Sequence, residues 1–449
     1  MSSLSSSVPG ATPALRRRAL IAVAIGNGIE WFDFAVYAYL AAEIGATFFP
    51  GSDPAASLLA SFAVLAAAFF FRPVGGMIFG RLGDKIGRRR VLATVLLLMA
   101  MATFLVGLLP GYDTIGIAAP VLLVVLRCLQ GLSAGGEFGG AATFLSEYSE
   151  PAKRGRYLST VPANSFLGLL IASLFIVVLR RVIPEEAFAE WGWRIPFLVA
   201  LPLGLIGLYI RLKLEETPEF ARLQERGEIS KSPLKDSLTK NLRGVAVSAG
   251  LVVLIGVASY MITTYLTVYL DKEVGLSSGT ALWLNTVVLI AMVTVLLLSG
   301  WLSDRIGRRP LMLFGCIALI VLPYPMFLIL SSGSIVAAVV GGVVLGSVFS
   351  VFQGAAVPAM TEMFSTSSRY SGFSTGYNIS IAAFGGTAPY LSTYLIETTG
   401  SKLAPSWMLA AAAVVSLAVV LLISETAPAR IGNRQDHVDE TASSVGTAT

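Results

Sequence analysis

The chain has 449 residues, of which 55% are hydrophobic and only 13% charged, with a mean hydropathy of +0.76. A water-facing surface carries about 25% charged residues, so this composition excludes a soluble globular protein and implies a surface that faces lipid. The formal net charge of +5 does not point to nucleic acid, because the basic residues stand in short clusters between apolar runs. Cys128 and Cys316 lie inside apolar runs, which leaves no disulfide framework. A single histidine, His437, leaves no metal or catalytic constellation, so neither a metal cofactor nor an enzyme is expected.

Residues 1–18 are rich in Ser, Ala and Pro and end in Arg16, Arg17 and Arg18. The apolar run that follows continues past Glu30 and Asp33 to Ala42, so an uncleaved first span fits better than a signal peptide. Runs of about 20 mostly apolar residues predict spans near 19–42, 57–80, 91–110, 117–140, 157–180 and 195–212. A second set follows near 245–270, 280–302, 311–331, 334–360, 371–396 and 403–424. The chain therefore reads as an all-α membrane protein of twelve helices. It has an N-terminal tail (1–18), a six-helix bundle (19–212), a charged linker (213–244) and a second bundle (245–424). The polar segment 425–449 has no periodicity and reads as a disordered tail. Of 32 Lys and Arg, 25 fall on the side of both termini, which places the termini and the linker in the cytoplasm.

The sharpest organisational signal is an internal repeat. Gly80-Arg-Leu-Gly-Asp84-Lys-Ile-Gly87-Arg88-Arg89 recurs as Gly300-Trp-Leu-Ser-Asp304-Arg-Ile-Gly307-Arg308-Arg309, offset by 220 residues. Glu147 and Arg154 are echoed by Glu362 and Arg369, with the same spacing of seven. Duplicated halves are the construction of one major class of secondary transporters. No P-loop is present to support an ATP-driven pump.

The repeated G-x-x-x-D-[KR]-x-G-R-[RK] loop resembles the signature of the major facilitator superfamily. More narrowly, the chain is similar to that superfamily's metabolite:proton symporters. The matching stretches are Gly26-Asn-Gly-Ile-Glu30-Trp-Phe-Asp33-Phe, Phe48-Phe-Pro50, Arg72-Pro-Val-Gly-Gly76 and Arg127-Cys-Leu-Gln130-Gly-Leu-Ser-Ala-Gly-Gly136-Glu137, with Trp191-Gly-Trp-Arg-Ile-Pro196-Phe and Leu214-Glu-Glu-Thr-Pro218 extending the match to the linker. The resemblance implies proton-driven uptake of an osmolyte such as proline or glycine betaine. The alternative is an organic acid such as citrate, 2-oxoglutarate or shikimate. A non-transporting membrane sensor is a third, weaker reading. The resemblance also implies a proton as coupling ion, no cofactor, and a monomer in a bacterial inner membrane. Some osmolyte carriers end in a long charged coiled coil, which residues 425–449 do not resemble.

Ionisable side chains inside spans are costly and mark function. The first half holds Glu30, Asp33, Arg72, Arg127 and Glu137, two cations against three anions, while the core of the second half holds none. Glu30, Asp33 and Tyr37 share one helical face at i, i+3 and i+7. Glu30, Asp33 and Glu137 are the candidate proton carriers, with a permanent ion pair to arginine as the bland alternative. Arg127, with its planar fork, is the leading candidate to hold a substrate carboxylate, joined by Arg72, Tyr37 and Gln130. The second half offers Tyr260 with Thr263, Thr264 and Thr267 as a stripe, together with Asn285, Gln353, Tyr377 and Asn378.

The duplicated loops supply a candidate cytoplasmic gate built on Gly80, Asp84, Gly87 and Arg88 and on Gly300, Asp304, Gly307 and Arg308. Each Asp is expected at the N-terminus of a neighbouring helix, where the dipole favours negative charge. Arg154 and Arg369 are the expected partners within each half, closing the halves together on the cytoplasmic side.

Overall fold

The structure, a computed structural model, describes residues 12–51 and 54–428. Two six-helix halves follow one another. The first contains α1 (Pro13–Tyr39), α2 (Pro54–Ile86), α3 (Arg88–Leu108), α4 (Ala118–Tyr148), α5 (Thr160–Val182) and α6 (Ile195–Leu212). The second contains α7 (Leu242–Lys272), α8 (Ser278–Ile306), α9 (Arg308–Val321, bent by 50° into Pro323–Leu330), α10 (Ile335–Glu362), α11 (369–399) and α12 (Ala404–Leu422). Two short helices, Pro218–Glu225 and Pro233–Lys240, lie between the halves.

Ten of these helices are long and apolar enough to cross a membrane, and the bent α9 makes an eleventh. The twelfth, α11, is a composite. Its first segment, Arg369–Ser380, carries four serine and threonine residues and is wholly buried but for Ile379, so protein rather than lipid surrounds it. Both α7 and α11 contain a π-helical turn, Met261–Tyr265 and Ile381–Gly385. Such turns insert an extra residue and often mark functional sites. The insertion breaks the expected Tyr260-Thr263-Thr264-Thr267 stripe: Thr263 is buried, Thr264 exposed and Thr267 between the two.

The same pairings recur in both halves. Helix α2 packs on α4 as α8 does on α10, α3 on α6 as α9 on α12, and α1 on α5 as α7 on α11. Between halves, α11 packs on α2 and α8 packs on α5, again a matched exchange. Close approach of α2 and α4 depends on missing side chains. A Cβ on Gly135 would stand 2.1 Å from the Arg72 carbonyl oxygen, and one on Gly131 2.0 Å from that of Ala68, so these glycines of α4 are a packing device.

The repeat motif corrects one expectation. Asp84 and Asp304 are not in loops but in the last turns of α2 and α8, which run on to Ile86 and Ile306. Helix α2 has 33 residues, about 50 Å at 1.5 Å per residue, against a hydrocarbon layer of about 30 Å. The motif end therefore projects beyond the lipid core. Gly87 and Gly307 turn the chain there, with φ of 105° and 107°, a conformation that costs other residues dearly. A second correction concerns the C-terminal segment. Residues 425–428, expected to begin a disordered tail, instead return to α9, where the Glu425 carboxylate accepts from the Arg308 and Arg309 backbone N–H groups. The rest of that tail, and residues 1–11, lie outside the described residues.

Candidate functional site

Three buried ion pairs climb α1. At the level of Gly26, Glu137 of α4 meets Arg211, with Arg211 Nη1 3.1 Å from Glu137 Oε2. The lack of a Cβ at Gly26 makes this possible, since one would fall 1.7 Å from Arg211 Nη2. One turn on, Glu30 Oε1 accepts from Arg72 Nη2 at 3.2 Å. Next, Asp33 accepts from Arg127 Nη1 at 3.1 Å and from Gln130 Nε2 at 3.1 Å. All six ionic side chains are at most 4% exposed. Arg211, at the end of the expected span 195–212, is not among the five in-span charges read from sequence, yet it is a buried cation in the last turn of α6. Three cations therefore face three anions. The set is neutral, which an apolar interior requires because an unpaired buried charge is far costlier than a paired one.

The pairs differ in their freedom. Around Asp33 the carboxylate is satisfied on both oxygens: Arg127 Nη1 also donates to Gln130 Oε1 at 2.7 Å, and Gln130 Nε2 to Thr103 Oγ1 at 2.8 Å, while Arg127 Nε and Nη2 are buried without a hydrogen-bond partner. Arg127 stacks 4.0 Å from the centre of the Tyr37 ring, whose hydroxyl donates to the Ser61 carbonyl. Gln130 and Tyr37 thus serve the Asp33–Arg127 pair inside the first half. Around Glu30 the network is open. Arg72 Nε and Nη1 and Glu30 Oε2 are buried without a hydrogen-bond partner, as are Trp31 Nε1 and the Tyr260 hydroxyl. Buried polar groups are ordinarily satisfied, so this cluster marks where a ligand's polar groups belong. Four rings surround it in a closed circuit: Trp31 to Phe34 (6.4 Å between centres), Phe34 to Phe69 (5.5 Å), Phe69 to Tyr260 (5.5 Å) and Tyr260 to Trp31 (6.3 Å). Tyr260 comes from the second half, so the open cluster lies where the halves meet.

Other second-half candidates are engaged elsewhere. Tyr377 stacks on Phe138 of the first half at 4.3 Å and 12°, with Phe373 alongside. The Asn378 amide donates to the carbonyls of Gly135 and Ser374, both at 2.8 Å. Asn285 donates to the Thr263 carbonyl at 3.0 Å, and Gln353 is buried with its side-chain oxygen free. Tyr377 and Asn378 thus join the halves as a floor.

Beyond that floor the halves are clasped at the end where α1 begins and α12 ends, here the terminal face. Asp84 Oδ2 accepts from the Ser371 N–H (2.9 Å) and hydroxyl (2.7 Å) in the first turn of α11, and Asp84 pairs with Arg88 at 2.9 Å. Asp304 repeats this, accepting from the N–H groups of Gly155 and Arg156 (both 2.8 Å) and pairing with Arg308 at 2.7 Å. Both carboxylates sit at helix N-termini of the opposite half, as the dipole argument requires. Their arginine partners correct the expectation: Arg88 and Arg308, one turn away, rather than Arg154 and Arg369. Arg88 and Arg308 go on to Glu147 and Glu362, both at 3.2 Å. Arg369 instead crosses to Glu147 (3.3 Å), and Arg369 and Arg154 converge on Glu219 of the linker at 2.8 and 3.0 Å. Burial pushes the Glu219 carboxyl up, but these two guanidinium groups override it and hold it below the usual range. Gly80 lies against α11, where a Cβ would meet Ser371 Cα at 2.9 Å, and Gly300 lies against Ser159.

Several residues here escaped the sequence reading. Glu216 accepts from the Arg88 N–H at 3.0 Å just as Glu425 accepts from Arg308 at 2.8 Å. Thr217 donates to Glu147 (2.5 Å) as Thr426 does to Glu362 (2.7 Å). The signal was present: Glu-Thr closely followed by Pro occurs at 216–218 and at 425–428, after the last span of each half.

Comparison with other proteins agrees with this architecture. The description of the Major Facilitator Superfamily matches residues 19–386 and 248–444. The proline/betaine transporter of Escherichia coli (strain K12) is 39% identical over 423 residues, covering 92% of this chain and 84% of that protein. The glycine betaine/proline/ectoine/pipecolic acid transporter OusA of Dickeya dadantii (strain 3937) is 37% identical over 420 residues, with the same coverage. Among solved structures, the proton:xylose symporter XylE bound to 6-bromo-6-deoxy-D-glucose superposes with a TM-score of 0.72 at 14% identity, covering 92% of this chain and 97% of that one. The partially occluded inward-open form of the xylose transporter XylE from E. coli gives 0.65 at 17% identity, covering 92% and 99%.

Proposed function

The chain belongs to the Major Facilitator Superfamily, and on that premise we propose that it is a proton-coupled symporter of a zwitterionic osmolyte of the proline and glycine betaine class. The observation that carries this reading is the neutral, half-open polar cluster at the interface. Three arginines match three carboxylates, so a substrate with no net charge enters without a leftover buried charge. A di- or tricarboxylate such as citrate would need cations that this cluster does not hold. The printed names of the relatives point to the same substrate class.

Coupling follows from competition for Arg72. A substrate carboxylate that takes Arg72 from Glu30 leaves a buried carboxylate without its cation. A group so placed is stable only once it binds a proton, so substrate and proton enter together. Glu137 continues the ladder toward the terminal face, and a small cavity bounded by Ala22, Val23, Arg89, Leu92, Phe144 and Leu214 adjoins its partner Arg211. Asp33, enclosed with Arg127 and Gln130, supports the site rather than receiving substrate. The clasp between the halves closes the terminal face, and the excess of basic residues in its loops argues that this face is cytoplasmic. The protein works as a monomer, since each chain holds a whole site.

Uptake of labelled proline and glycine betaine into proteoliposomes, with and without an imposed pH gradient, tests the reading, with citrate, 2-oxoglutarate and shikimate as comparisons. Gradient-dependent accumulation of the zwitterions is expected. Accumulation of an organic acid alone, or uptake indifferent to pH, overturns it. Asp113→Cys should react with an impermeant thiol reagent in intact cells and Ser230→Cys should not.

A further inference from the structure

The open cluster contains a division of labour among its four rings. The Arg72 guanidinium already lies over Phe34 and Phe69, at 5.6 and 5.9 Å from their centres. No such cation is found on Trp31 or Tyr260 among the described residues, although their centres are 6.3 Å apart. Each also carries a buried donor without a partner, Trp31 Nε1 and the Tyr260 hydroxyl. Arg72, itself 1% exposed, keeps Nε and Nη1 unpaired.

Resting on the symporter reading above, we propose that Trp31 and Tyr260 form a cation seat for the ammonium group of the substrate. The carboxylate then accepts from Arg72, which has an unpaired donor on each side of the Nη2 held by Glu30. A face of π-electrons attracts a cation without hydrogen-bonding it. A fully methylated ammonium, which has no N–H to donate, therefore loses nothing there. A primary ammonium gives up its hydrogen bonds to water and finds few acceptors, chiefly Glu30 Oε2. The seat selects N-methylated amino acids over their unmethylated parents. Because Trp31 belongs to one half and Tyr260 to the other, the ligand also bridges the halves. Tyr260 is the last residue before the π turn of α7, and its ring rests on Gly385 at the end of the π turn of α11, where a Cβ would come within 2.8 Å of Tyr260 Cε2. The two irregular turns thus position the ring.

Binding of glycine betaine, dimethylglycine and glycine to the purified protein tests the proposal. Affinity should rise with each methyl group in the native protein. Trp31→Leu and Tyr260→Leu should weaken glycine betaine by ~10-fold or more and flatten the series, while Tyr260→Phe keeps it. If the leucine variants fail to fold, Trp31→Phe, a weaker ring, must still flatten the series in part. A methyl preference unchanged in Trp31→Phe and the leucine variants overturns the cation seat while leaving zwitterion symport standing. A native protein that binds and transports none of these compounds and no proline overturns both.

Discussion

The two halves share a scaffold and differ in their chemistry. At the terminal face they are near copies: Asp84 and Asp304 cap helices of the opposite half, Arg88 and Arg308 reach Glu147 and Glu362, and Glu216 and Glu425 hold the N-termini of α3 and α9. In the interior the likeness ends. The first half contains three buried ion pairs, whereas the second presents Tyr260, Tyr377, Asn285 and Gln353. The contacts that clasp the halves recur in both because the duplicated motif supplies the same side chains to each, whereas the interior charges have no such repeat.

The largest expected effects lie in the interior of the first half. Arg127→Ala leaves Asp33 as an unpaired buried charge and should destabilise the protein by about 3–5 kcal/mol, seen as a large drop in melting temperature. The double variant Asp33→Asn with Arg127→Gln should recover much of that loss. No recovery would mean that the pair matters for something other than charge balance. Next is Glu30→Gln, which removes the proposed proton carrier. Accumulation against a gradient should vanish while exchange of labelled for unlabelled substrate persists. Full accumulation in this variant would move the proton to Glu137 or Asp33. Arg72→Lys keeps the charge but not the planar fork, and should raise the substrate KM by ~10-fold or more, about 1.4 kcal/mol.

The clasp between the halves offers the test of symmetry. Asp84→Asn and Asp304→Asn each weaken charge-assisted hydrogen bonds worth roughly 1.5–3 kcal/mol. Both should open the terminal face, and spin labels near residues 86 and 306 should move apart by similar amounts in the two variants. A response to only one would show that the copies are not equivalent. The smallest effect belongs to Glu219, a quarter exposed and without a counterpart in the second half among the described residues. Glu219→Gln should cost ~0.2–1 kcal/mol. Since its carboxyl is held below the usual range, its contribution is complete above roughly pH 4.3 and fades as pH falls through the depressed value. Spin-label distances should therefore be flat near neutrality and lengthen only in strong acid, and Glu219→Gln should remove that step.

Residue order alone carried the membrane class, the two halves, the duplicated motif and the carboxylates and arginines of the first half. Those signals are local: a run of apolar residues, a ten-residue repeat and a charge inside a span are each visible without knowing what lies beside them. Only the tertiary structure decided which charge meets which. Glu137 finds Arg211, 74 residues away, because α4 and α6 both border α1 at Gly26, and Asp84 finds Ser371, 287 residues away, because α2 and α11 pack across the halves. It also decided that both Asp33 oxygens are satisfied while Glu30 keeps a free one, and it broke the threonine stripe of α7 with a π turn. Pairing depends on helix adjacency and on where a helix gains a residue. Neither is written in the spacing of one helix, because the energy of a buried charge is set by the neighbours that the fold brings to it.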